Sequence, residues 1–470
     1  MEKEYCGIDF GTTNTTLVFF SEKYGKKFVG DKGNFIGQPL PSIIALNNTD
    51  NKVYVGHQVK QNIKQLSETC NIVSSIKTVL DDEILYWKFN GKENSPIDIA
   101  AYIFHSLQQN AKEQGIEVKK AVVSVPINFP ATKKQCLKKA AKIAGIEITK
   151  FVSEPTAAYL AHYEELKSFN NIVVFDWGGG TLDISALSVE HNTVKEIYTD
   201  NMYKAGDDID RNFAKHLYKK MIQTYGLSLV AFHELPSCEY DELLSKVERC
   251  KIKLSQDGVN SVKDICTIQG RLIEFTATYQ DLCIVIHDVV QEAIKLLTDV
   301  VAQSFQNSID CILCVGGSSN LRYLRESLQK IFNTKLYFPD EPQWDIADGA
   351  CTIDASNCKN IYTLPYDISL KLSDGHYLPL LQKGDLLPCK SSIINVSTTD
   401  SSSFANFIFR IGDHNEYQEI IPVLGGLDET LTIETFIDEY LILHINMKNN
   451  KTQEEYNIFN YEKLEVCYNI

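Results

Sequence analysis

Residues 172–189 read I-V-V-F-D-W-G-G-G-T-L-D-I-S-A-L-S-V. An apolar run leads into Gly178, Gly179 and Gly180, and a second apolar run leads out. The pattern predicts a strand, a tight turn and a strand, with acids flanking the turn. A second stretch has the same grammar. Residues 7–20 read G-I-D-F-G-T-T-N-T-T-L-V-F-F. Asp9 falls on Asp176, Gly11 on Gly178, and Thr12-Thr13-Asn14 on Gly179-Gly180-Thr181. Two Asp-x-Gly turns in register, far apart in one chain, imply two related halves.

The residue types in these turns suit a particular ligand. Glycine and threonine let backbone N–H groups converge on one concavity that favours an anion, and the hydroxyls add donors. A carboxylate beside a phosphate repels it unless a cation lies between them. Asp9 and Asp176 therefore imply Mg²⁺, held mostly through water as this ion prefers. Two facing turns would clamp the β- and γ-phosphates of a nucleotide. No G-K-[ST] follows the glycines, so this is not a Walker loop.

Bulk properties narrow the class. At 470 residues the chain is too long for one core, so two or more domains are expected. Lys and Arg number 46 against 61 Asp and Glu, a net charge of −15, which argues against wrapping nucleic acid. No apolar run approaches the roughly 20 residues of a membrane span, and the first residues do not read as a signal peptide. The 13 cysteines have no framework spacing, which fits a reducing, cytoplasmic setting. The C-x-x-C pair Cys311 and Cys314 lies in an apolar run and reads as core rather than as a metal site.

Strands and helices alternate over the first three quarters, which predicts α/β. One helix is bounded by Pro130 and Gly145 and another runs from about Ile97 to Gly115. Beyond about residue 360 helical periodicity fades into short alternating runs such as F-A-N-F-I-F-R-I, which predicts a small all-β domain.

Further motifs resemble the seventy-kilodalton heat-shock chaperone family within the actin and sugar-kinase superfamily. They are N-I-V-S-S-I-K-T-V-L at 71–80, A-V-V-S-V-P-I-N-F at 121–129, A-G-I-E-I-T-K-F-V-S-E-P-T-A-A-Y-L-A at 144–161, A-G-D-D-I-D at 205–210, V-E-R-C-K-I-K-L-S at 247–255 and C-V-G-G-S-S-N-L at 314–321. The resemblance implies an actin-like two-lobed ATPase domain over 1–357, built of two ribonuclease H-like halves. A linker at 358–364 and a β-sandwich substrate domain at 365–470 would follow. It implies ATP or ADP with Mg²⁺ as ligands and a weak ATPase. Lys77, Glu154, Asp176, Thr181 and Asp9 would be catalytic, with Asp9 and Asp176 on the metal. Gly11, Thr12, Thr13, Asn14, Gly178, Gly179, Gly180 and Gly206 would meet phosphate. Glu248, Lys251, Ser255, Gly316, Gly317 and Ser318 would meet adenosine. On a helix, positions 248, 251 and 255 share a face and can converge on one ligand.

The resemblance also implies partners: a J-domain co-chaperone, a nucleotide exchange factor and unfolded or nascent polypeptide. Some positions depart from the family pattern. Asn320 stands where an arginine packs on adenine, and Lys134 where an arginine partners the proline at 126. Lys150 and Ser153 replace residues that meet the J-domain, and the linker N-C-K-N-I-Y-T-L lacks the acidic, leucine-rich character. In the β domain two pocket positions fall on Asn395 and Ala405. With Ile470 as its last residue the chain lacks the family's helical lid, which resembles an atypical branch that sits on ribosomes. The leading expectation is an ATP-driven chaperone. The alternatives are a nucleotide-bound scaffold working with a J-domain protein, with the ribosome as one setting, and a small-molecule kinase. A basic stripe at Lys134, Lys138 and Lys142 reads as a solvated helix face.

Overall fold

The computed structural model describes residues 4–127, 129–190, 193–305, 308–353, 359–360, 362–364, 367–383, 385–399, 401–412, 415–425, 429–438 and 442–457. The chain divides into two compact units. One holds 1–125 and 137–358, and the other holds 126–136 and 359–470.

The first unit is mixed α/β and is organised by two sheets of the same design. In one, the order is Glu147–Ser153, Lys120–Val125, Glu4–Phe10, Asn14–Ser21, Gly25–Val29. In the other it is Lys335–Tyr337, Cys311–Val315, Asn171–Trp177, Leu182–Glu190, Thr193–Met202. In both, the first three strands run parallel and the last three form an antiparallel meander. The same senses in the same order place the two Asp-x-Gly turns at equivalent sheet ends. The strand Asn171–Trp177 is buried on both faces, since the adjacent Ile172 and Val173 are both at 0% exposure, as a strand covered by helices must be.

The helices follow their sequence signals. Pro96–Glu113 begins at Ser95, whose hydroxyl accepts from the Asp98 N–H while the Asp98 carboxylate accepts from the Ser95 N–H. Tyr279–Phe305 uses the same reciprocal cap through Thr278 and Asp281. Asp281 also binds Lys220 at 2.7 Å and His216 at 3.0 Å. Burial pushes this carboxyl up, but hydrogen bonds from Lys220, Thr278 and His216 outweigh it and hold it at about 2. The ionised carboxylate therefore stabilises the fold fully above the unfolded value near 3.8, and that stabilisation disappears as pH falls toward 2. Asp281→Ala is expected to cost about 2 kcal/mol at neutral pH in urea denaturation, and much less at pH 2 to 3. An equal cost at both pH values would assign the loss to packing instead.

Cys311 and Cys314 are buried, and Cys311 belongs to one apolar cluster while Cys314 belongs to another. Residues three apart on a strand face opposite sides, so the pair cannot chelate one ion. Burial pushes the Cys311 thiol up to about 12.

The second unit is built of strands around one apolar cluster. One sheet orders Tyr377–Leu381, Ile368–Lys371, Phe404–Ile411, Asn415–Pro422. The other pairs Cys389–Lys390 and Ile394–Ser397 with Thr430–Ile437, followed by Leu443–Asn449 and Glu455–Asn457. Alternation is strict in Thr430–Ile437, where Leu431, Ile433 and Ile437 enter the cluster with Phe409 and Ile411 of the first sheet. Asn395 is exposed and pairs with Thr432, whereas Ala405 packs against the cluster from the edge. Of the expected linker, Cys358 and Ile361 lie outside the described residues, and Tyr362–Thr363 pairs with Leu386–Leu387.

One expectation fails. Lys134 is buried at 1% exposure, so 134, 138 and 142 do not form a solvated stripe. Four residues turn an α-helix by about 40° beyond a full circle, so an i, i+4, i+8 series drifts about 80°. That drift carries Lys142 to an exposed position while Lys134 stays inside.

Candidate functional site

The two turns meet. The Thr12-Thr13 turn lies against Gly179 and Gly180, and a Cβ at 179 would fall 2.6 Å from the Thr13 methyl carbon. Any side chain at 179 would force Thr13 to shift. The Gly178 N–H donates to the Thr181 carbonyl at 2.9 Å and closes the second turn. Its own carbonyl accepts from the Gly206 N–H at 3.2 Å and from the Ser318 hydroxyl at 2.8 Å. The Gly179 carbonyl accepts from the Asp207 N–H at 2.9 Å. Four separate sequence motifs thus converge: the turns at 11–14 and 178–181, the start of the helix Gly206–Tyr225, and the loop after Cys311–Val315. Gly316 has φ +79°, and a Cβ there would sit 2.5 Å from Asp176 Oδ1. A Cβ on Gly317 would meet nothing within 4 Å, so sterics alone do not require that glycine.

Charge at this point is unbalanced. The Lys77 ammonium is 5% exposed and binds Glu154 Oε1 at 2.7 Å. Burial disfavours its charge, but Glu154 and Asp9 more than restore it, so Lys77 stays protonated. Asp9 accepts from the Ser124 hydroxyl at 2.8 Å. Burial and then the charge of Glu154 raise Asp9 to about 6, with Lys77 and Ser124 pulling it back. Burial and repulsion from Glu154, Asp183 and Asp9 push Asp176 well above the carboxylate range. Asp183 accepts from the Thr181 hydroxyl at 2.8 Å, and burial followed by Glu154 raises it to about 6. Four carboxylates thus share one ammonium in a desolvated place. This donor set suits a hard dication, whose charge would relieve the repulsion. Among the described residues no three His, Cys, Asp or Glu side chains close on one point as direct ligands.

Asp183 is the residue that the sequence reading leaves unassigned. Its signal was the second acid of D-W-G-G-G-T-L-D, with only one residue between it and Thr181 and so on the same strand face.

The three helix residues expected at adenosine already have partners within the protein, and Glu248 and Lys251 fall in one charge cluster with Lys60 and Asp210. On the helix Ser237–Leu254, Glu248 pairs with Lys60 at 2.8 Å and Lys251 with Asp210 at 2.8 Å. The Ser255 hydroxyl turns back to the Lys251 carbonyl at 2.9 Å. The arginines nearby are engaged as well. Arg322 lies 3.3 Å from the centre of the Tyr279 ring, and Arg325 donates to the Ser255 carbonyl at 3.1 Å. Ser153 is buried and accepts from the Thr156 N–H as cap of the helix Glu154–Ala161, while its hydroxyl donates to Glu196. The site next to Glu154 is thereby fixed from behind.

A family model described as Hsp70 protein matches residues 79–403, well over half of the chain. The chain belongs to the Hsp70 family. Its similarity to chaperone protein DnaK of Ureaplasma urealyticum serovar 10 is 27% identity, covering 97% of this chain and 79% of the relative. DnaK of Mycoplasma mobile is also 27% identical, over 86% of this chain and 67% of its own. DnaK of Thermosipho africanus is 26% identical over 86% and 69%. Hsp70 proteins are ATP-dependent chaperones that bind ATP or ADP with Mg²⁺. Among the described residues no helix is long and apolar enough to cross a membrane.

Proposed function

We propose that this Hsp70-family chain binds Mg²⁺-ATP between the turns at 11–14 and 178–181, hydrolyses it slowly, and couples the nucleotide state to polypeptide binding by its β unit. The first unit would be a two-lobed actin-like ATPase, with the repeated sheet as each half. The second would be a β-sandwich substrate domain. The observation that carries the reading is the buried Lys77 among Glu154, Asp9, Asp176 and Asp183, beside two facing Gly-Thr turns.

In this reading the backbone N–H groups of Thr12, Thr13, Gly179 and Gly180 bind phosphate oxygens. Bound Mg²⁺ would supply charge neutralisation on those oxygens, with Asp9 and Asp176 holding its water shell. Glu154, fixed by Lys77 and by the capped start of its helix, orients the attacking water. The Lys77 ammonium faces the charge that accumulates on the terminal phosphoryl oxygens, and the Thr181 hydroxyl donates to them. Asp183 holds that hydroxyl in place. Glu248, Lys251 and Ser255 each keep donor or acceptor capacity beyond their present bonds, so base and ribose contacts can form beside the pairs Lys60–Glu248 and Asp210–Lys251.

The β unit exposes Phe404, Ile420 and Leu424, an apolar surface suited to an extended apolar segment. A J-domain protein and an exchange factor would then act as partners. The test is fluorescence anisotropy of a labelled apolar peptide with ADP and then with Mg²⁺-ATP. Peptide should bind with ADP and dissociate about tenfold faster or more with ATP, and Asp176→Asn should remove the difference. Peptide that fails to bind in either state would end the clamp reading and leave the nucleotide-bound scaffold.

A further inference from the structure

Away from the nucleotide turns, the first unit contains a cavity of about 640 Å³ between the helix Gly206–Tyr225 and the loop at 229–233. That volume lies within the range of small-molecule sites. One wall is aromatic. Tyr218 and Phe232 have ring centres 5.9 Å apart, and Phe232 and Tyr240 are 4.8 Å apart. The other wall is cationic, with Arg211, Lys215 and Lys219 at successive i, i+4 positions along the helix.

The cations are what single out this cavity. Arg211 is already paired with Asp208 at 2.5 Å. Lys215 and Lys219 are different: among the described residues neither has a carboxylate within ion-pair distance, although the chain has 61 acids and a net charge of −15. Like charges at i, i+4 repel, and an anion placed between these two exposed ammonium groups would offset that repulsion. The aromatic wall is likewise held open by local bonds. The Tyr218 hydroxyl donates to the Val230 carbonyl at 3.0 Å, so its ring edge cannot swing into the space.

We propose that this cavity binds a small amphipathic anion, a carboxylate with an aromatic or alkyl body. The body would lie on Phe232 and Tyr240, which the buried Tyr218 backs, and the carboxylate would meet Lys215 and Lys219. A concave site of this size suits a small molecule, and the −15 chain disfavours a long polyanion. The cavity also adjoins the contact that Lys64 makes with the carbonyls of His233 and Leu235, at 3.2 and 2.5 Å. A bound ligand therefore touches the loop that accepts this lysine.

The experiment is photolabelling of the full chain with benzophenone carboxylate, without nucleotide, read by peptide mass mapping. Labels are expected to concentrate within residues 211–240. Lys215→Glu with Lys219→Glu, both exposed positions, should reduce that labelling about tenfold while labels elsewhere stay constant. Neutral benzophenone should label the segment at least several-fold less than the carboxylate does. Phe232→Ala should reduce labelling by both probes. Equal labelling in the charge-reversed protein, or labels spread over the chain including the exposed β-unit residues, overturns the proposal. Should the double glutamate variant fail to fold by circular dichroism, Lys215→Gln with Lys219→Gln carries the same expectation at about half the effect.

Discussion

Lys77→Ala is expected to slow single-turnover ATP hydrolysis by about 10³-fold or more while nucleotide still binds. Among the described residues the Lys77 ammonium is the cation that acts on Asp9, Asp176 and Asp183, and its charge is held on by Glu154 and Asp9. A cation aimed at developing phosphoryl charge acts only in the transition state, so the loss falls on turnover rather than on affinity. A second effect has the same origin. Removing Lys77 leaves the partly buried Glu154 without its 2.7 Å partner, and breaking such a pair costs up to about 3 kcal/mol. The variant without ligand is therefore less stable, and Mg²⁺-ADP should restore most of that loss because the dication offsets the same repulsion. Turnover by rapid quench and thermal unfolding with and without Mg²⁺-ADP separate the two effects. Turnover within tenfold of the parent protein would remove Lys77 from the chemistry. Destabilisation that Mg²⁺-ADP does not offset would place the dication elsewhere.

The site was legible in the sequence where the chemistry is local. A strand, Asp-x-Gly and a polar turn carry their geometry within a dozen residues, so the two copies could be aligned with each other before any contact was known. Side-chain pairing is not local, and there the reading fell short. Glu248, Lys251 and Ser255 share a helix face as their spacing requires, but the pairs that the first two make with Lys60 and Asp210, from other segments, could not be read from that spacing. Ser153 is a similar case: Glu196, 43 positions away, helps make it a buried cap, a pairing its own motif does not reveal. The basic stripe failed for a different reason. Spacing by four is only approximately one helical face, and over eight residues the approximation moves Lys134 from solvent into the interior. Asp183 shows the opposite error, in which a visible acid was left without a role because its partner charges lie in Glu154 and Lys77, outside its own motif.

Gly349→Ala is expected to destabilise the first unit by about 3 kcal/mol and to slow turnover with it. Gly349 lies on the helix Asp345–Thr352, where it crosses the helix Glu154–Ala161. A Cβ there would fall 1.7 Å from the Ala157 carbonyl oxygen and 2.4 Å from its carbon. Both are backbone atoms, so no rotamer change relieves the overlap and the helices must separate. Alanine's better helix propensity returns about 1 kcal/mol, which is less than overpacking costs where the neighbours are rigid. The same helix is clamped from its other side, because a Cβ on Gly7 would fall 2.1 Å from the Ala347 carbonyl oxygen. It cannot slide toward the strand Glu4–Phe10 to make room. Separation therefore displaces the helix Glu154–Ala161, whose first residue is the partner of Lys77, less than one turn from Ala157. Stability and turnover should fall together for this reason, although residue 349 touches neither Lys77 nor the turns. Gly317→Ala, whose added Cβ meets nothing within 4 Å, provides the comparison and should leave the unfolding midpoint close to that of the parent. An unchanged midpoint in Gly349→Ala would mean that the two helices can part by more than an ångström at little cost, and the crossing would then be a yielding contact between the repeated sheets rather than a rigid one.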